Sequence, residues 1–541
     1  MTTIRPITQF ETHDVFNQPP PFEDINLFSS DTALIDAVGK AGGSPHEAHL
    51  KNLGAQVGSA ESLEWGMEAN RVTPVLENFD RYGRRIDEVR FHPAYHALMR
   101  QGLDNGFAAL AWNEAQAGHV AHSAAQFLVG QADCGTVCPM TMTYAAVPAL
   151  RMEPKVAEVW VPRIQAGRYD PAVRPAAEKA GVTIGMAMTE KQGGSDVRAN
   201  TTRAVPTGEE GWYSLTGHKW FCSAPMCDAF LTLAYTEGGL TCFLLPRWLP
   251  DGERNAGFRV LQLKDKMGDR SNASSEVEYQ GALAQRIGPE GRGVATIIQM
   301  VQHTRLDCVV GSAQQMRTGV AHALWHTAHR SAFQKRLIDQ PAMAALLADL
   351  AVESEAATAM GLRLAQAFDA NDPLSRLLTP IAKYWICKRT PGVIYEAMES
   401  HGGAGFIESG PMARLFRQSP LNAIWEGSGN VIALDVLRAM AREPEGVEAL
   451  QEFLEARRGL NTAYDDWIDT INLRGVTEAT ARHLVEKLAL AAQAAILLDW
   501  DNPVADAFCS LRLKERGMAY GAFEATIDTR AILERAMPKA A

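Results

Sequence analysis

The most informative stretch of the chain runs from residue 187 to residue 199 and reads Ala-Met-Thr-Glu-Lys-Gln-Gly-Gly-Ser-Asp-Val-Arg-Ala. Gly193 and Gly194 let backbone amides approach a ligand, and the hydroxyls of Thr189 and Ser195 can bond to its polar edge. A turn capped by Ser and Asp would read much the same in many unrelated proteins. The stretch is therefore either a binding loop or an ordinary turn, and its surroundings decide between the two.

The periodicity of the sequence changes on either side of this loop. Apolar residues recur at helical spacing from about 30 to 180, and short β-branched and aromatic runs such as 229–236 and 241–246 follow up to about 290. Helical spacing then returns and lasts to the end of the chain. The predicted helices of this last part include 294–330, 341–370, 379–400 and 478–498.

These changes predict an α+β fold in four parts. The parts are an N-terminal arm and helical domain (1–181), a small central β domain (182–290), a helical bundle (291–440) and an additional C-terminal helical domain (441–541). A chain of 541 residues exceeds the size of one growing core, which agrees with three or four packed units.

Composition and charge limit the classes of function that fit this sequence. Hydrophobic residues make up 46% and charged residues 21%, as in folded globular proteins. The formal net charge of -11 argues against a protein whose overall field gathers nucleic acid or anionic lipid. Such binding would need a local basic patch.

The eight cysteines are scattered through the chain, as small buried apolar residues usually are. The pairs Cys134/Cys138 and Cys222/Cys227 lack the spacing and the second ligand pair of a structural zinc site, so we expect no metal. The N-terminus lacks the apolar core of a secretory signal, and no run reaches the ~18 apolar residues of a membrane span. We expect a soluble, cytoplasmic protein with no membrane partner.

Four further motifs follow the loop in order. They are Lys219-Trp220-Phe221-Cys222-Ser223, the spaced set Arg330, Phe333 and Gln340, the glycine-rich run Glu399 to Phe406, and Ile424-Trp425-Glu426-Gly427-Ser428-Gly429-Asn430. Taken singly, each has a simpler interpretation. Arg330 could be a solvated helix charge and Glu426 an exposed turn residue.

Together, the loop and these motifs resemble the acyl-CoA dehydrogenase family over roughly residues 50 to 440. The resemblance implies an acyl-CoA dehydrogenase-like fold, FAD as cofactor and a homotetramer, in which Arg330 and the Gly402-Gly403 turn reach the FAD of a neighbouring subunit. Phe221 replaces the usual Trp, so stacking on the flavin is kept without an indole donor. The cofactor-binding residues that the resemblance implies are Met188, Thr189, Gly194, Ser195, Phe221, Ser223, Arg330, Phe333, Gln340, Gly402, Gly403, Trp425, Ser428 and Asn430.

The resemblance also assigns the chemistry. Glu426 stands where the family keeps the base that removes the proton α to the thioester carbonyl, so we predict it to be catalytic. Ser195, Arg305 and Arg270 are the predicted substrate contacts, and Gln302 stands where the family has an Asp three residues before Arg305. An oxygen-using flavin monooxygenase of related build would have no need of such a base.

A long N-terminal arm and about a hundred extra C-terminal residues resemble one branch of this family, which is induced during DNA alkylation stress and binds double-stranded DNA. That resemblance implies an alkylation-response flavoprotein, and a metabolic dehydrogenase of short or branched acyl-CoA is the alternative. Residues 441–541 hold 12 Lys and Arg against 17 Asp and Glu, the wrong balance for neutralising phosphates. Any DNA contact is therefore predicted at the local cluster Arg512, Lys514 and Arg516.

Overall fold

The computed structural model describes residues 6–514 and 517–539. It has the predicted α+β architecture, in which helices precede and follow a central β region. The helices of the N-terminal part are Thr32–Lys40 (α1), Glu47–Val57 (α2), Ala60–Arg71 (α3), Pro93–Asp104 (α4), Leu110–Asn113 (α5), Gly118–Ala132 (α6), Val137–Leu150 (α7) and Pro154–Gln165 (α8). Both α6 and α7 are buried over nearly their whole length, because apolar and small residues occupy every face.

A β-hairpin interrupts this helical part, where only helices were predicted. Its strands are Val75–Phe79 (β1) and Arg85–Arg90 (β2), which pair antiparallel. Asp87 is buried and accepts hydrogen bonds from Asn78 Nδ2 at 2.9 Å and from the Val260 backbone N–H at 3.3 Å. The first bond joins the two strands, and the second attaches the hairpin to Val260 in the central β region.

The central β region is a small barrel. Its strands are Ile184–Ala187 (β3), Arg203–Pro206 (β4), Trp212–Ser223 (β5), Ala229–Thr236 (β6), Gly239–Pro246 (β7), Phe258–Leu263 (β8) and Ser274–Ile287 (β9). Hydrogen bonding runs from β6 through β4, β5, β9 and β7 back to β6, which closes a ring. Strand β6 spans the predicted residues 229–236, and its first six residues are buried because five are apolar and the hydroxyl of Thr232 donates to the Ala187 carbonyl at 2.7 Å.

A bundle of long helices follows the barrel. Its elements are Gly293–His329 (α9), a two-residue hairpin of Ser331–Ala332 (β10) and Lys335–Arg336 (β11), Pro341–Asp369 (α10), Leu374–Glu399 (α11), Pro411–Gln418 (α12) and Gly429–Arg442 (α13). Helix α9 packs against α6, α7, α10 and α11, so it lies at the centre of the molecule. Among the described residues, no helix combines the length and the apolar character that crossing a membrane requires.

The C-terminal helices pack on α10 and α11. They are Pro444–Glu455 (α14), Thr462–Asp469 (α15), Ala481–Asp499 (α16), Ala505–Cys509 (α17) and Thr529–Ala536 (α18), with a π-helical turn at Ser510–Lys514. Arg512 in this turn reaches α10, where Nη2 lies 2.6 Å from Asp349 Oδ1 and Nε lies 2.7 Å from Glu353 Oε2. The C-terminal helices are thus joined to the helical bundle by a buried ion-pair cluster.

This cluster corrects the prediction that Arg512 contacts DNA. The side chain is 11% exposed and its charge is matched by two carboxylates, so it does not face solvent as a phosphate contact must. Lys514 is exposed, and Arg516 lies outside the described residues. The nearby pair Arg457 and Arg458 is also engaged with carboxylates, with Arg457 on Asp499.

Candidate active site

A cavity of about 700 Å³ lies between the barrel and the helical bundle. Its walls come from α6, α7, the loop after β3, strand β5, the loop between β8 and β9, helix α9 and the turn before α13. The cavity therefore gathers segments more than 300 residues apart in the chain. The predicted site residues on its wall are Met188, Thr189, Gly194, Ser195, Phe221, Ser223, Arg305, Trp425, Glu426 and Ser428.

Glu190 fixes the loop that brings Met188 and Thr189 to the cavity. Its buried carboxylate accepts hydrogen bonds from Thr202 Oγ1 at 2.6 Å and from Lys219 Nζ at 2.9 Å. Burial alone would raise the pKa of Glu190, but the Thr202 bond and the Lys219 charge hold it well below its usual range. Glu190 is therefore a charged anchor inside the barrel.

The backbone of the same loop is also held by hydrogen bonds at the two residues before Glu190. The Asn200 side chain donates to the Met188 carbonyl at 3.1 Å, and the Trp220 backbone N–H donates to the Thr189 carbonyl at 2.8 Å. A Cβ on Gly194 would lie 2.3 Å from Thr189 Oγ1, so glycine is required for the two segments to approach. The loop is a rigid wall of the cavity.

The barrel side of the cavity presents an aromatic ring next to hydroxyl groups. Phe221 on β5 is 49% exposed and lines the cavity, and Ser223 Oγ lies 3.1 Å from Ser274 Oγ. A planar ligand with an apolar face and a hydrogen-bonding edge would cover the ring and use the hydroxyls of Thr189 and Ser223. The residues present fit the isoalloxazine ring of FAD.

Glu426 lies on the helical side of the cavity in a strained turn. Its φ of 57° places it in the left-handed region, which costs a non-glycine residue about 1–3 kcal/mol and marks functional sites. The carboxylate Oε2 accepts a hydrogen bond from Thr304 Oγ1 on α9 at 2.8 Å. The strain and this bond together hold the carboxylate towards the cavity.

Two cations hold the backbone of the Glu426 turn. Arg305 donates from Nε to the Glu426 carbonyl at 3.1 Å and pairs with Asp435 on α13 at 2.8 Å. Lys383 on α11 donates to the carbonyls of Trp425, at 2.8 Å, and Gly427. The turn is thereby fastened to α9, α11 and α13.

The environment of Glu426 favours its neutral form more than water does. Burial raises the pKa of Glu426 above its usual value, although the Thr304 hydrogen bond and the charges of Arg305 and Lys383 each lower it. A carboxyl with a raised pKa accepts a proton from a weak carbon acid more readily than a free carboxylate does. Glu426 is therefore a candidate base on the wall of the same cavity that carries the residues that fit a flavin.

Several predicted residues lie away from this cavity. Arg330 donates from Nη1 to the Asn17 carbonyl at 3.0 Å, and Phe333 is 93% exposed. The others are Gln340, Gly402, Gly403 and Asn430. Within one chain these residues do not meet the cavity, so their predicted contact with a neighbour's FAD stays a prediction.

Arg270 was predicted to contact the substrate, and the structure places it differently. Its side chain is 42% exposed and lies 3.8 Å from Asp265 Oδ1, while its neighbours Lys266, Asp269 and Asn272 line the cavity. The chain takes a left-handed conformation at Asp269, with a φ of 49°, directly before Arg270. Charge and position alone did not reveal which residue would face inwards.

The sequence reasoning also missed residues that reach the site from distant helices. Thr304 and Lys383 act on the Glu426 turn, and Gln126, Asp307 and Gln315 line the cavity. Thr304 directly precedes Arg305, so its position next to a predicted site residue was an available signal. Lys383 and Gln126 gave no such signal, because each lies in a stretch whose apolar pattern is typical of a buried helix.

The closed barrel between two helical parts is the architecture of an FAD-dependent oxidoreductase of the acyl-CoA dehydrogenase type. Family models match along the chain: the adaptive response protein AidB N-terminal domain at 17–171, the acyl-CoA dehydrogenase middle domain at 185–282 and the acyl-CoA dehydrogenase C-terminal domain at 291–441. The chain belongs to the acyl-CoA dehydrogenase family, with the N-terminal domain of the AidB branch.

Individual relatives agree with this. The chain is 44% identical over 519 residues to the protein AidB of Escherichia coli (strain K12), covering 94% of this chain and 96% of that one. It is 30% identical over 476 residues to acyl-CoA dehydrogenase family member 11 of Caenorhabditis elegans, covering 83% and 75%. The crystal structure of C. elegans ACDH-11 in complex with C11-CoA is similar with a TM-score of 0.84 and 26% identity over 95% of this chain and 96% of that one.

Proposed function

We propose that this protein oxidises an acyl-CoA thioester, with Glu426 as the base that removes the α proton. The observation that supports the proposal most is the position of Glu426, which lines the cavity from a strained, fastened turn together with the residues that fit a flavin. The crystal structure of C. elegans ACDH-11 holds C11-CoA, which supports the same ligand class here.

The chain's own residues divide the reaction between two walls. Bound FAD supplies the acceptor for the hydride that leaves the β carbon of the acyl group. Glu426 takes the α proton onto its carboxylate, and the Cα–H and Cβ–H electron pairs become the double bond of a 2-enoyl thioester and the transferred hydride. Arg305 and Lys383 keep the turn in place, and Thr304 orients the carboxylate.

Ser195 lines the cavity and is proposed to lie beside both the cofactor and the thioester. Arg305 also lines it, but its guanidinium is paired with Asp435 and bonded to the Glu426 carbonyl. We therefore propose that Arg305 positions the base in addition to any contact with the thioester. Trp425 and Ser428 complete the proposed cofactor wall on this side.

The test is anaerobic mixing of the FAD-loaded protein with a panel of acyl-CoA thioesters, including short and branched chains. Bleaching of the flavin absorbance by at least one thioester is expected, since reduction reports substrate identity and competence together. A fully loaded protein that stays oxidised with every thioester, while dithionite reduces it, would contradict the proposal.

A second function, in the adaptive response to DNA alkylation, is favoured by the AidB N-terminal domain at 17–171 and the 44% identity to AidB. In this role the protein would be a cytoplasmic flavoprotein that associates with duplex DNA. A strain lacking the protein should survive an alkylating agent less well than its parent, and complementation should restore survival. Equal survival of the two strains would leave the metabolic dehydrogenase as the function.

We further propose a homotetramer, built as a dimer of dimers. Phe333 is almost fully exposed, and no atom lies within 4 Å of a Cβ built on Gly402 or Gly403 among the described residues. An exposed aromatic ring and an open glycine turn leave room for a neighbouring subunit and its cofactor. Sedimentation of the FAD-loaded protein should give a tetramer, and a monomer that retains stoichiometric FAD would refute it.

A further inference from the structure

The cavity continues well past Glu426 along helix α9. Its wall runs from Thr304 to Gln315, about 16 Å along the helix axis at 1.5 Å per residue. The part lined by Gln126, Cys134, Thr141, Asp307 and Gln315 is called the inner end here. The cavity wall also contains apolar residues such as Val137 and Met142, so these polar groups stand in a pocket that a plain hydrocarbon chain would need to be apolar.

Gln126 on α6 presents an unused acceptor to the inner end. Its side chain is 2% exposed, and its Nε2 donates to the Asp307 carbonyl at 2.8 Å. That bond fixes which end of the amide is the oxygen. Gln126 Oε1 has no hydrogen-bond partner in the part of the chain that the structure describes.

Three more hydrogen-bond acceptors near the inner end also lack a donor among the described residues. Within residues 6–514 and 517–539, no donor reaches Gln315 Oε1, Asn272 Oδ1 or Asp269 Oδ1, and all three residues are more than nine-tenths buried. The loop with Asp269 and Asn272 packs on the segment before α7, since a Cβ on Gly135 would lie 2.1 Å from Ser271 Oγ. Buried acceptors are normally paired, so four on one cavity wall point to a ligand that brings donors.

Asp307 and Lys266 already have hydrogen-bond partners, and the charge of Lys266 acts on the Asp269 carboxyl although no donor in the described part of the chain reaches its Oδ1. The other three unpaired acceptors are neutral amide oxygens. Asp307 accepts from His122 Nε2 at 2.9 Å and from Thr141 Oγ1 at 2.5 Å. Lys266 donates to the carbonyls of Asp269 and Asn272, both at 2.8 Å. The acceptors that remain unpaired therefore need neutral hydrogen-bond donors, which favours a hydroxyl group over an ammonium group on the ligand.

We infer that the inner end selects acyl groups bearing a hydroxyl towards the end of the chain over hydrocarbon chains of equal length. The inference rests on the proposed function, because it names the substrate class of the same cavity. A hydrocarbon tail would leave the amide oxygens of Gln126 and Gln315 buried and unpaired, and a site built to bond a hydroxyl discriminates strongly against the analogue that lacks it.

The test uses matched pairs of acyl-CoA thioesters of increasing chain length, each with and without a terminal hydroxyl. Dissociation constants are measured by calorimetry on the FAD-loaded protein, and flavin reduction is followed anaerobically in parallel. For at least one chain length, the hydroxylated member should bind about tenfold tighter or more.

Substitutions at two glutamines test whether the preference for the hydroxylated thioester arises at the inner end. Gln126→Leu and Gln315→Leu keep the approximate size of the side chain and remove the acceptor, so the ratio of the two dissociation constants should fall towards one. Gln493→Leu on α16 is the matched control, since Gln493 is 1% exposed and also has amide atoms without a described partner, but lies outside the cavity wall. It should leave the ratio unchanged.

The wild-type ratio alone decides the inference, even if a variant fails to fold. Equal or tighter binding of the unsubstituted thioester at every length would overturn it and would mean that water satisfies the four oxygens. In that case flavin reduction by unsubstituted thioesters would leave the proposed function standing. Absence of binding by any thioester would overturn both.

Discussion

Thr304 is the side chain that acts most directly on the protonation of Glu426. Its hydroxyl bonds to the carboxylate at 2.8 Å and lowers a pKa that burial raises. Thr304→Val removes the bond and keeps the shape, so the pKa of Glu426 should rise further. The base must be deprotonated to accept a proton. As the pH falls, the rate of flavin reduction should therefore begin to decline at a higher pH in Thr304→Val than in the wild type.

The plateau of this profile at high pH should change little, since the carboxylate is ionised there in both proteins. Stopped-flow reduction across a pH series measures it, with Thr304→Ser as the control that restores the hydroxyl. An unshifted acid limb in Thr304→Val would show that the Thr304 bond does not tune the base.

The buried ion pair of Glu190 and Lys219 acts on a whole element, the loop after β3. Both side chains are fully buried, and Glu190→Gln would leave the Lys219 ammonium without its charge partner. Breaking a buried pair costs about 3–5 kcal/mol, which should appear as a lower free energy of unfolding in urea. Glu210→Gln, in the exposed pair with Lys155, should leave that free energy nearly unchanged.

The same pair predicts a pH dependence. The folded-state pKa of Glu190 is depressed, so its contribution to stability is full above the pKa of an unfolded glutamate and is lost as the pH falls through the folded value. Lowering the pH should therefore reduce the free energy of unfolding in urea more for the wild type than for Glu190→Gln. Parallel loss in both proteins would contradict the assignment.

Arg512 joins the π-helical turn of the C-terminal part to α10. Arg512→Leu would leave Asp349 and Glu353 short of one partner each, although Arg389 still pairs with Glu353 at 3.0 Å. We expect a loss of about 3–5 kcal/mol in the free energy of unfolding and faster proteolytic release of the C-terminal helices. Lys514→Leu, an exposed neighbour, should change neither.

At the scale of elements, the sequence predicted most helices and strands because their periodicity is local. The run 229–236 is a strand with the predicted bounds, and 294–330 differs from α9 by one residue. The hairpin of β1 and β2 was missed because its strands are rich in charged residues, and its stabilising bonds reach Val260, more than 170 residues away.

The site was predictable to the extent that its residues sit in contiguous motifs. Met188, Thr189, Phe221, Ser223 and Glu426 all line the cavity, as the motifs implied. Thr304 and Lys383 were not found, because the contacts that give them a role form only when α9, α11 and the Glu426 turn pack together. Arg512 looked like a surface cation because its carboxylate partners lie on another helix.

At the scale of the whole molecule, the net charge of -11 sets how DNA could be bound. Binding should be sequence-independent and weak, with an affinity for duplex DNA that falls steeply as salt rises. Fluorescence anisotropy over a salt series measures it, and Lys514→Glu should weaken binding and reduce the salt slope by about one. Tight binding that is insensitive to salt would refute this electrostatic account.

The central claim concerns the whole site, in which one carboxyl acts against a flavin across the cavity. The most direct test is single-turnover flavin reduction by a competent acyl-CoA thioester in the wild type and in Glu426→Gln, with the exposed Glu209→Gln as control. We predict that Glu426→Gln keeps its FAD and loses about 10²–10⁴-fold or more in the reduction rate, while Glu209→Gln matches the wild type. Reduction of Glu426→Gln at the wild-type rate would contradict the account.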